Sequence, residues 1–191
     1  MKFFHLIIHF LFPPKCVLCG KVLRDEETDL CVSCRRETEI FPKPKTKHPF
    51  LASWTALWYY NGNVRRSLIR FKFYNARSYA VVYGRLLAMK LLEEYPDVDG
   101  ILACNDMVAI AVYKILLNRG LRVPEDIQIM GFDNIRFSRL FAPEFSTIIQ
   151  PIREMGALAA QVIMRYANGE SIRKENVFDV SLVERQTTKH T

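Results

Sequence analysis

The chain has 191 residues, of which 50% are hydrophobic and 25% are charged. This composition is ordinary for a globular protein, and the length suffices for one large domain or two small ones, so neither excludes a folded core. The net charge of +7 is unevenly distributed: residues 1–96 carry 16 basic and 8 acidic side chains, and residues 97–191 carry 11 and 12. The charge therefore excludes a uniformly basic protein and indicates two segments of different character.

The first twelve residues, MKFFHLIIHFLF, are strongly apolar. They are too few to span a bilayer as a helix. Pro13 and Pro14 follow directly and leave no small-residue cleavage site, so we predict a short apolar leader helix that ends at the prolines. Clustered cysteines further along the chain indicate a metal in a reducing compartment, and we expect a cytoplasmic protein without a membrane span.

Four of the five cysteines form two CxxC pairs, Cys16 with Cys19 and Cys31 with Cys34, separated by eleven residues. Each pair can place two thiolates on a tight turn, and Zn²⁺ prefers four sulfur or nitrogen ligands in closed structural sites. The spacing predicts a zinc ribbon, which with the leader helix occupies residues 1–40. Four thiol ligands leave no position for water, so we expect a structural rather than a catalytic zinc.

A basic aromatic segment is predicted over residues 41–96. It starts with a Lys/Pro linker, and the alternating run SWTALWYY at residues 53–60 predicts a strand that an Asn-Gly turn would end. Apolar residues at helical spacing predict a helix over residues 63–73. Basic residues among aromatics can bind nucleic acid, although a solvated amphipathic helix would show the same pattern. The basic side chains of this helix are Arg65, Arg66, Arg70 and Lys72.

A set of motifs in the first half of the chain matches a known pattern: FPPKC at 12–16, the two CxxC pairs, Trp54, Tyr60, Gly62, RSLIRFK at 66–72 and GRLLA at 84–88. With these motifs, residues 8–92 resemble the ComF family. The resemblance implies a zinc ribbon attached to a phosphoribosyltransferase-type domain, and an association with DNA uptake. Such a transferase needs adjacent acids and a Thr/Gly loop that binds phosphate, and the nearest candidate, GFDNIR at residues 131–136, has one acid and no such loop. We therefore expect no enzyme.

The pattern changes to strand, helix, strand from residue 97. The apolar run GILAC at residues 100–104, a helix over residues 107–119 and a second strand at residues 127–130 predict a βαβ unit with parallel strands. Ligands bind outside the carboxyl ends of such strands. The polar residues that follow these ends are Asn105, Asp106 and Asp133.

A series of runs in the second half of the chain matches a known pattern in order and spacing: NDMVAI at 105–110, GLRVPEDI at 120–127, GFD at 131–133, EMG at 154–156 and SLVERQTT at 181–188. With these runs, residues 97–188 resemble the LacI family of metabolite-responsive repressors. The resemblance implies a bound effector, a sugar or a nucleobase-like metabolite, contacted at the positions of Asn105 and Asp133. Asp106 is interpreted as a helix cap, and Cys104 as a small core residue.

The predicted fold class is α/β, with a small N-terminal zinc ribbon followed by a partial parallel α/β domain of the periplasmic-binding-protein type at residues 97–191. The LacI resemblance starts in the middle of a two-lobed architecture, and an amphipathic helix over residues 152–168 would need a new partner. We expect a partial effector-binding module of poor affinity, with DNA and a second copy of the chain as further partners. The alternatives are a ComF-like protein linked to DNA uptake and a non-functional chimera joined near Pro96.

Overall fold

The computed structural model describes residues 12–45, 49–74, 76, 78–173 and 175–189. The predicted leader helix lies outside these residues except for Phe12. Two compact units divide the chain: the N-terminal unit, Met1–Asp97, and the C-terminal unit, Val98–Thr191. Among the described residues, no helix combines the length and apolar character needed to cross a membrane.

The N-terminal unit is built from the cysteine-rich segment and three helices within the described ranges. The two parts share one hydrophobic core: buried Val17 and Leu18 of the cysteine-rich segment pack in the same cluster as Val64 and Tyr83. Helix formation over residues 63–73 is confirmed. The helices are α1 (Val32–Glu37), α2 (Gly62–Phe73) and α3 (Tyr79–Glu94).

The strand predicted over residues 53–60 is wrong. A single antiparallel bridge between Ile40 and Trp58 is the only ladder pairing the structure describes there. The rings of Trp54 and Tyr59 both pack on Phe41, at centroid distances of 5.4 and 4.9 Å. A strand would send these two side chains to opposite faces, so ring packing prevails over the pleated conformation. Instead of closing a hairpin, Asn61 is the N-cap residue of α2.

The C-terminal unit contains a four-stranded sheet in the order β1-β2-β3-β4. Strands β1, β2 and β3 are parallel, and β4 pairs antiparallel with β3. The predicted βαβ unit and the partial parallel α/β fold are confirmed, with one antiparallel edge strand added. The strands are β1 (Gly100–Leu102), β2 (Gln128–Phe132), β3 (Ser146–Ile149) and β4 (Ser181–Val183).

Helix α4 (Asp106–Asn118) forms the crossover between β1 and β2, and its buried face includes Ala109, Val112 and Leu116. Gly120 follows with a left-handed φ of 77°, as expected at a helix end. Cys104 is exposed and does not belong to the core, because β1 ends at Leu102 and the chain turns before the helix begins. The prediction of Cys104 as a core residue is wrong.

Helix α5 (Ile152–Ala167) confirms the amphipathic helix predicted over residues 152–168. None of its residues is buried. Large apolar side chains on it remain accessible, with Ile152 65%, Ile163 68% and Tyr166 71% exposed. A helix contributes to stability mainly through burial of its apolar face, so α5 adds little to the core of this unit.

Candidate functional sites

The four predicted zinc ligands, Cys16, Cys19, Cys31 and Cys34, come together in the N-terminal unit. Their Sγ atoms all lie within 4.8 Å of one another, and those of Cys19 and Cys31 are 3.7 Å apart. Zn–S bonds of about 2.3 Å in a tetrahedron space two sulfurs about 3.8 Å apart. The observed spacing and the all-thiol donor set therefore fit a closed four-sulfur zinc site.

Local structure explains why each pair of thiols points to one place. In the first pair, the backbone folds back so that Gly20 N–H donates to the Cys16 carbonyl at 2.8 Å. Gly20 has a left-handed φ of 79°, which favours glycine. In the second pair, Cys31 is the N-cap residue of α1, and Cys34 lies in the first turn of that helix. A tight turn and a helix start thus present two sulfurs each.

The ionisation of these thiols is shaped by burial and by backbone hydrogen bonds. At Cys16, burial raises the pKa, but hydrogen bonds from the backbone of Cys19, Cys31 and Leu18 outweigh it and lower the pKa to about 7. Burial raises the pKa of Cys19 and of Cys34. Four adjacent thiols cannot all ionise without a cation, because like charges disfavour one another. A divalent metal supplies the charge that stabilises the thiolates.

A second group of polar residues lies at the carboxyl ends of the parallel strands. Asn105 follows β1 after two intervening residues, and Asp133 directly follows β2, which pairs parallel with β1. Gln150 directly follows β3, and its Nε2 donates to Asp133 Oδ1 at 2.8 Å. These three residues, named here the strand-end cluster, occupy the edge where parallel α/β sheets bind ligands.

The helix cap predicted for Asp106 is supplied by Asn105 instead. The Oδ1 atom of Asn105 accepts the Val108 N–H at 2.8 Å, so Asn105 is the N-cap residue of α4. The cap prediction for Asp106 is wrong: its fully buried carboxylate accepts Thr147 Oγ1–H at 2.6 Å and Ile135 N–H at 2.8 Å. Capping occupies the oxygen of Asn105, which makes its amide group the part that can donate to a ligand.

The Asp106 carboxylate fixes the spacing of the strand ends. Through Thr147 it is tied to β3, and through Ile135 to the turn that follows β2. Gly131 in β2 packs against it so closely that a Cβ atom there would overlap the carboxylate. One buried group therefore connects the start of α4 with β2 and β3, and it sets the positions from which Asn105 and Asp133 project.

The turn after β2 has an unusual backbone. Asp133 and Asn134 have φ values of 102° and 49°, in the region that non-glycine residues rarely adopt. Arg185 holds this turn: its guanidinium donates to Asn134 Oδ1 at 2.6 Å and to the Phe145 carbonyl at 2.5 Å. Burial lowers the pKa of Arg185, whose side chain is only 8% exposed. Such strain persists where the surroundings hold it, and it is common at ligand sites.

Gln150 and Arg185 were given no role by the sequence patterns. Gln150 could have been found, because it follows β3 directly, as Asp133 follows β2. Arg185 gave no local signal, since its partner Asn134 is 51 positions away in the chain.

The four basic residues predicted to contact nucleic acid do not share one environment. Arg65, Arg66 and Lys72 are exposed on α2. Arg70 is partly buried, and its guanidinium donates to the carbonyl of Leu18, inside the first cysteine pair. Three of the four side chains therefore face solvent, and the fourth faces the thiol cluster.

Comparison with protein families identifies most of this architecture. A periplasmic binding protein-like domain matches residues 60–188, more than half of the chain. The chain belongs to the periplasmic binding protein-like domain family. A double zinc ribbon domain matches residues 7–46, which include all four clustered cysteines.

The relatives of this periplasmic binding protein-like chain are repressors of the LacI type. It is 34% identical over 127 residues to the ribose operon repressor of Bacillus subtilis. The aligned region covers 66% of this chain and 39% of the repressor. It is 37% identical over 101 residues to catabolite control protein A of Priestia megaterium, covering 52% of this chain and 30% of that protein. The chain thus spans well under half the length of these relatives.

Solved structures show the same similarity. A LacI family regulator from Arthrobacter sp. FB24 in complex with lactose has a TM-score of 0.50 at 34% identity, covering 57% of this chain and 41% of that one. The lac repressor dimer bound to operator and an anti-inducer has a TM-score of 0.52 at 29% identity, covering 56% and 38%. The C-terminal unit therefore resembles part of the periplasmic binding protein-like domain of LacI-type regulators.

The family match also starts earlier than the LacI resemblance predicted. It begins at residue 60, so residues 60–96 of the predicted ComF-like segment fall within the periplasmic binding protein-like match. The zinc ribbon is supported, while the ComF resemblance and the predicted boundary at residues 96 and 97 stay predictions.

Replacement of Asp106 by Ala should destabilise the C-terminal unit by about 2–4 kcal/mol, because two buried donors lose their acceptor. Hydrogen exchange followed by mass spectrometry should show faster exchange in β2 and β3 and unchanged exchange in α2. Asp179→Asn, at an exposed position, is the matched control and should behave as wild type. Unchanged exchange of β2 and β3 in Asp106→Ala would contradict the role given to this carboxylate.

Replacement of Arg185 by Met should loosen the turn after β2, because Asn134 and Phe145 lose their common donor. The same exchange measurement should show faster exchange over residues 133–145. Arg153→Met removes an equally charged side chain at an exposed position of α5 and should leave the turn unchanged. Equal exchange in the two variants would show that Arg185 does not hold the turn.

Proposed function

We propose that the C-terminal unit binds a small polyhydroxylated effector of the sugar class through the strand-end cluster. The carboxylate of Asp133 accepts hydrogen bonds from hydroxyl groups, and the amides of Asn105 and Gln150 can donate to them. The observation that carries this proposal is that these three residues follow neighbouring parallel strands at one edge of the sheet, where Asp133 accepts a hydrogen bond from Gln150 at 2.8 Å. Relatives described as a ribose operon repressor and as a lactose complex support the same ligand class.

The geometry favours recognition without reorganisation. Arg185 holds Asn134, Asp106 holds the strand ends, and α4 holds the oxygen of Asn105. Side chains fixed before binding lose less conformational freedom when a ligand arrives. The cluster therefore supplies orientation as well as hydrogen bonds.

Affinity should nevertheless be low. Sites for small ligands normally enclose about 70–90% of the ligand surface, and the strand-end cluster contacts a ligand from one side. A dissociation constant of about 1 mM or weaker follows for this unit alone, equivalent to about −4 kcal/mol. We infer that the unit supplies the effector-sensing part of a LacI-type regulator and that full regulation depends on enclosure of the ligand from a second side.

Saturation-transfer NMR with ribose and lactose should detect weak binding to the whole chain at millimolar sugar. Asn105→Asp keeps an acceptor for the helix cap but removes the amide donor, and Asp133→Asn removes the carboxylate; each should reduce the signal several-fold. Asp179→Asn should leave the signal unchanged. Equal signals in all variants would show that the sugar binds elsewhere, and no signal would refute the proposed ligand class.

For the N-terminal unit, we propose one structural Zn²⁺ held by Cys16, Cys19, Cys31 and Cys34. The sulfur spacing and the burial of three of the four residues support it. The metal would neutralise the thiolates and join the two cysteine pairs. A cysteine-rich segment of this size buries too little apolar surface to hold the two pairs together by itself.

Purified protein should contain about one zinc per chain, and Cys34→Ser should lose most of it, whereas Cys104→Ser should retain it. Zinc should dissociate as the pH falls, because the thiols whose pKa values are raised, Cys19 and Cys34, take up protons in competition with the metal. Metal analysis after dialysis across a pH series measures both effects. Zinc content that is near zero in wild type, or equal in both variants, would contradict the site.

The exposed basic face of α2 favours a second candidate function, the binding of nucleic acid. Arg65, Arg66 and Lys72 are accessible, and no acidic residue occurs in α2. Positive charge of this kind attracts phosphate without reading sequence.

If the three side chains contact phosphates, the logarithm of the affinity for duplex DNA should fall with the logarithm of salt concentration, with a slope of about −2.7. The combined replacement of Arg65, Arg66 and Lys72 by Gln should flatten this slope, and Arg153→Gln should not. Fluorescence anisotropy with labelled DNA measures both. A slope near zero in wild type would contradict the binding of nucleic acid by α2.

A further inference from the structure

We propose that helix α2 belongs to the zinc site, with Ser67 and Arg70 as positioning residues that hold the first cysteine pair in its metal-binding shape. This inference rests on the zinc site proposed above and extends it beyond the ribbon. The double zinc ribbon match ends at residue 46, and both positioning residues lie after it.

Ser67 contacts the first cysteine pair from the buried face of α2. Val64 and Ser67 are the buried residues of this helix, and the Ser67 hydroxyl donates to the carbonyl of Val17. The same hydroxyl lies 2.6 Å from the hydroxyl of Tyr83 in α3. A buried hydroxyl needs hydrogen-bond partners. The Ser67 hydroxyl has one in Tyr83 and another in Val17, which lies in the turn between Cys16 and Cys19.

Arg70, one helical turn further along, reaches the next carbonyl of the same turn. Its guanidinium donates to Leu18 O, and its Nη1 lies 3.8 Å from the position of a Cβ on Gly20. Its Nε is buried and has no hydrogen-bond partner among the described residues. A buried polar atom without a hydrogen-bond partner is costly, so the hydrogen bond that the guanidinium makes to Leu18 has to offset the burial of Nε.

The backbone of Val17 is held by hydrogen bonds at both its N–H and its carbonyl. Its N–H donates to the carbonyl of Asp29 at 2.9 Å, and its carbonyl accepts from Ser67. Asp29 has a left-handed φ of 63°, and its carboxylate is paired with Arg85 of α3. Helices α2 and α3 therefore clamp the turn that carries Cys16 and Cys19.

The same helix also approaches the second cysteine pair. Asn63 Nδ2, in the first turn of α2, lies 4.0 Å from Cys34 Sγ. Asn63, Ser67 and Arg70 recur at intervals of three to four residues, so they lie on one face of the helix. One helical face thus contacts both halves of the four-thiol site.

Groups that orient metal ligands commonly change metal affinity by about 10–100-fold when they are removed. We expect Ser67→Ala and Arg70→Met to accelerate zinc transfer from the whole chain to a chromogenic chelator by about tenfold. Arg70→Lys retains a donor and should restore most of the slow release. Glu93→Gln, which removes an exposed charge from α3, should release zinc at the wild-type rate.

The variant Ala88→Gly separates a loss of general stability from a loss of positioning, because it weakens α3 at a fully buried position outside the core cluster that contains the cysteines. Release is measured well below the unfolding temperature, and Co²⁺-substituted protein reports the geometry of the four sulfurs through its visible absorption. Faster release and a changed Co²⁺ spectrum in Ser67→Ala and Arg70→Met, but not in Ala88→Gly, support the proposal.

Release at the wild-type rate in Ser67→Ala and Arg70→Met, or acceleration equal to that of Ala88→Gly, overturns it. If Arg70→Met does not fold, Ser67→Ala and Arg70→Lys decide by the same criteria. A wild-type chain that binds no zinc refutes the zinc site itself, whereas bound zinc that is insensitive to these variants refutes only the contribution of α2.

Discussion

The carboxylate of Asp106 is the interaction on which the geometry of the C-terminal unit depends. It joins the start of α4 to β3 through Thr147 and to the turn after β2 through Ile135, and it lies against Gly131. A buried carboxylate is tolerated only when its oxygens are hydrogen-bonded. Because these partners lie beside the strand ends, the buried Asp106 carboxylate also fixes the positions of the side chains in the strand-end cluster.

In the N-terminal unit, the cluster of four thiols is the feature around which the other elements pack. Its core contains residues of the cysteine-rich segment together with Val64 and Tyr83 of the helices. Small cysteine-rich segments commonly depend on a metal because they bury too little apolar surface. Here the helices complement the thiol cluster, since Ser67 and Arg70 bind carbonyls between Cys16 and Cys19.

The sequence allowed prediction of the features that depend on local pattern. The βαβ unit followed from apolar runs around a helix, and the positions of Asn105 and Asp133 followed from the rule that ligands gather at strand ends. Patterns failed where the deciding partner is distant. Asp106 and Asn105 are both ordinary cap residues, and only Thr147, 41 positions away, decides which of them is buried. The alternating aromatics of residues 53–60 failed for the same reason, since their partner is Phe41.

We propose that the strand-end cluster is one side of an effector site. A titration of ¹⁵N-labelled whole chain with ribose, followed through the side-chain amide signals of Asn105 and Gln150, tests this directly. Binding at the cluster should produce saturable shifts of both signals at millimolar sugar, together with the Asp133 backbone amide, while the amides of α2 stay unmoved. Unmoved signals for Asn105 and Gln150, or equal shifts throughout the chain, would contradict it.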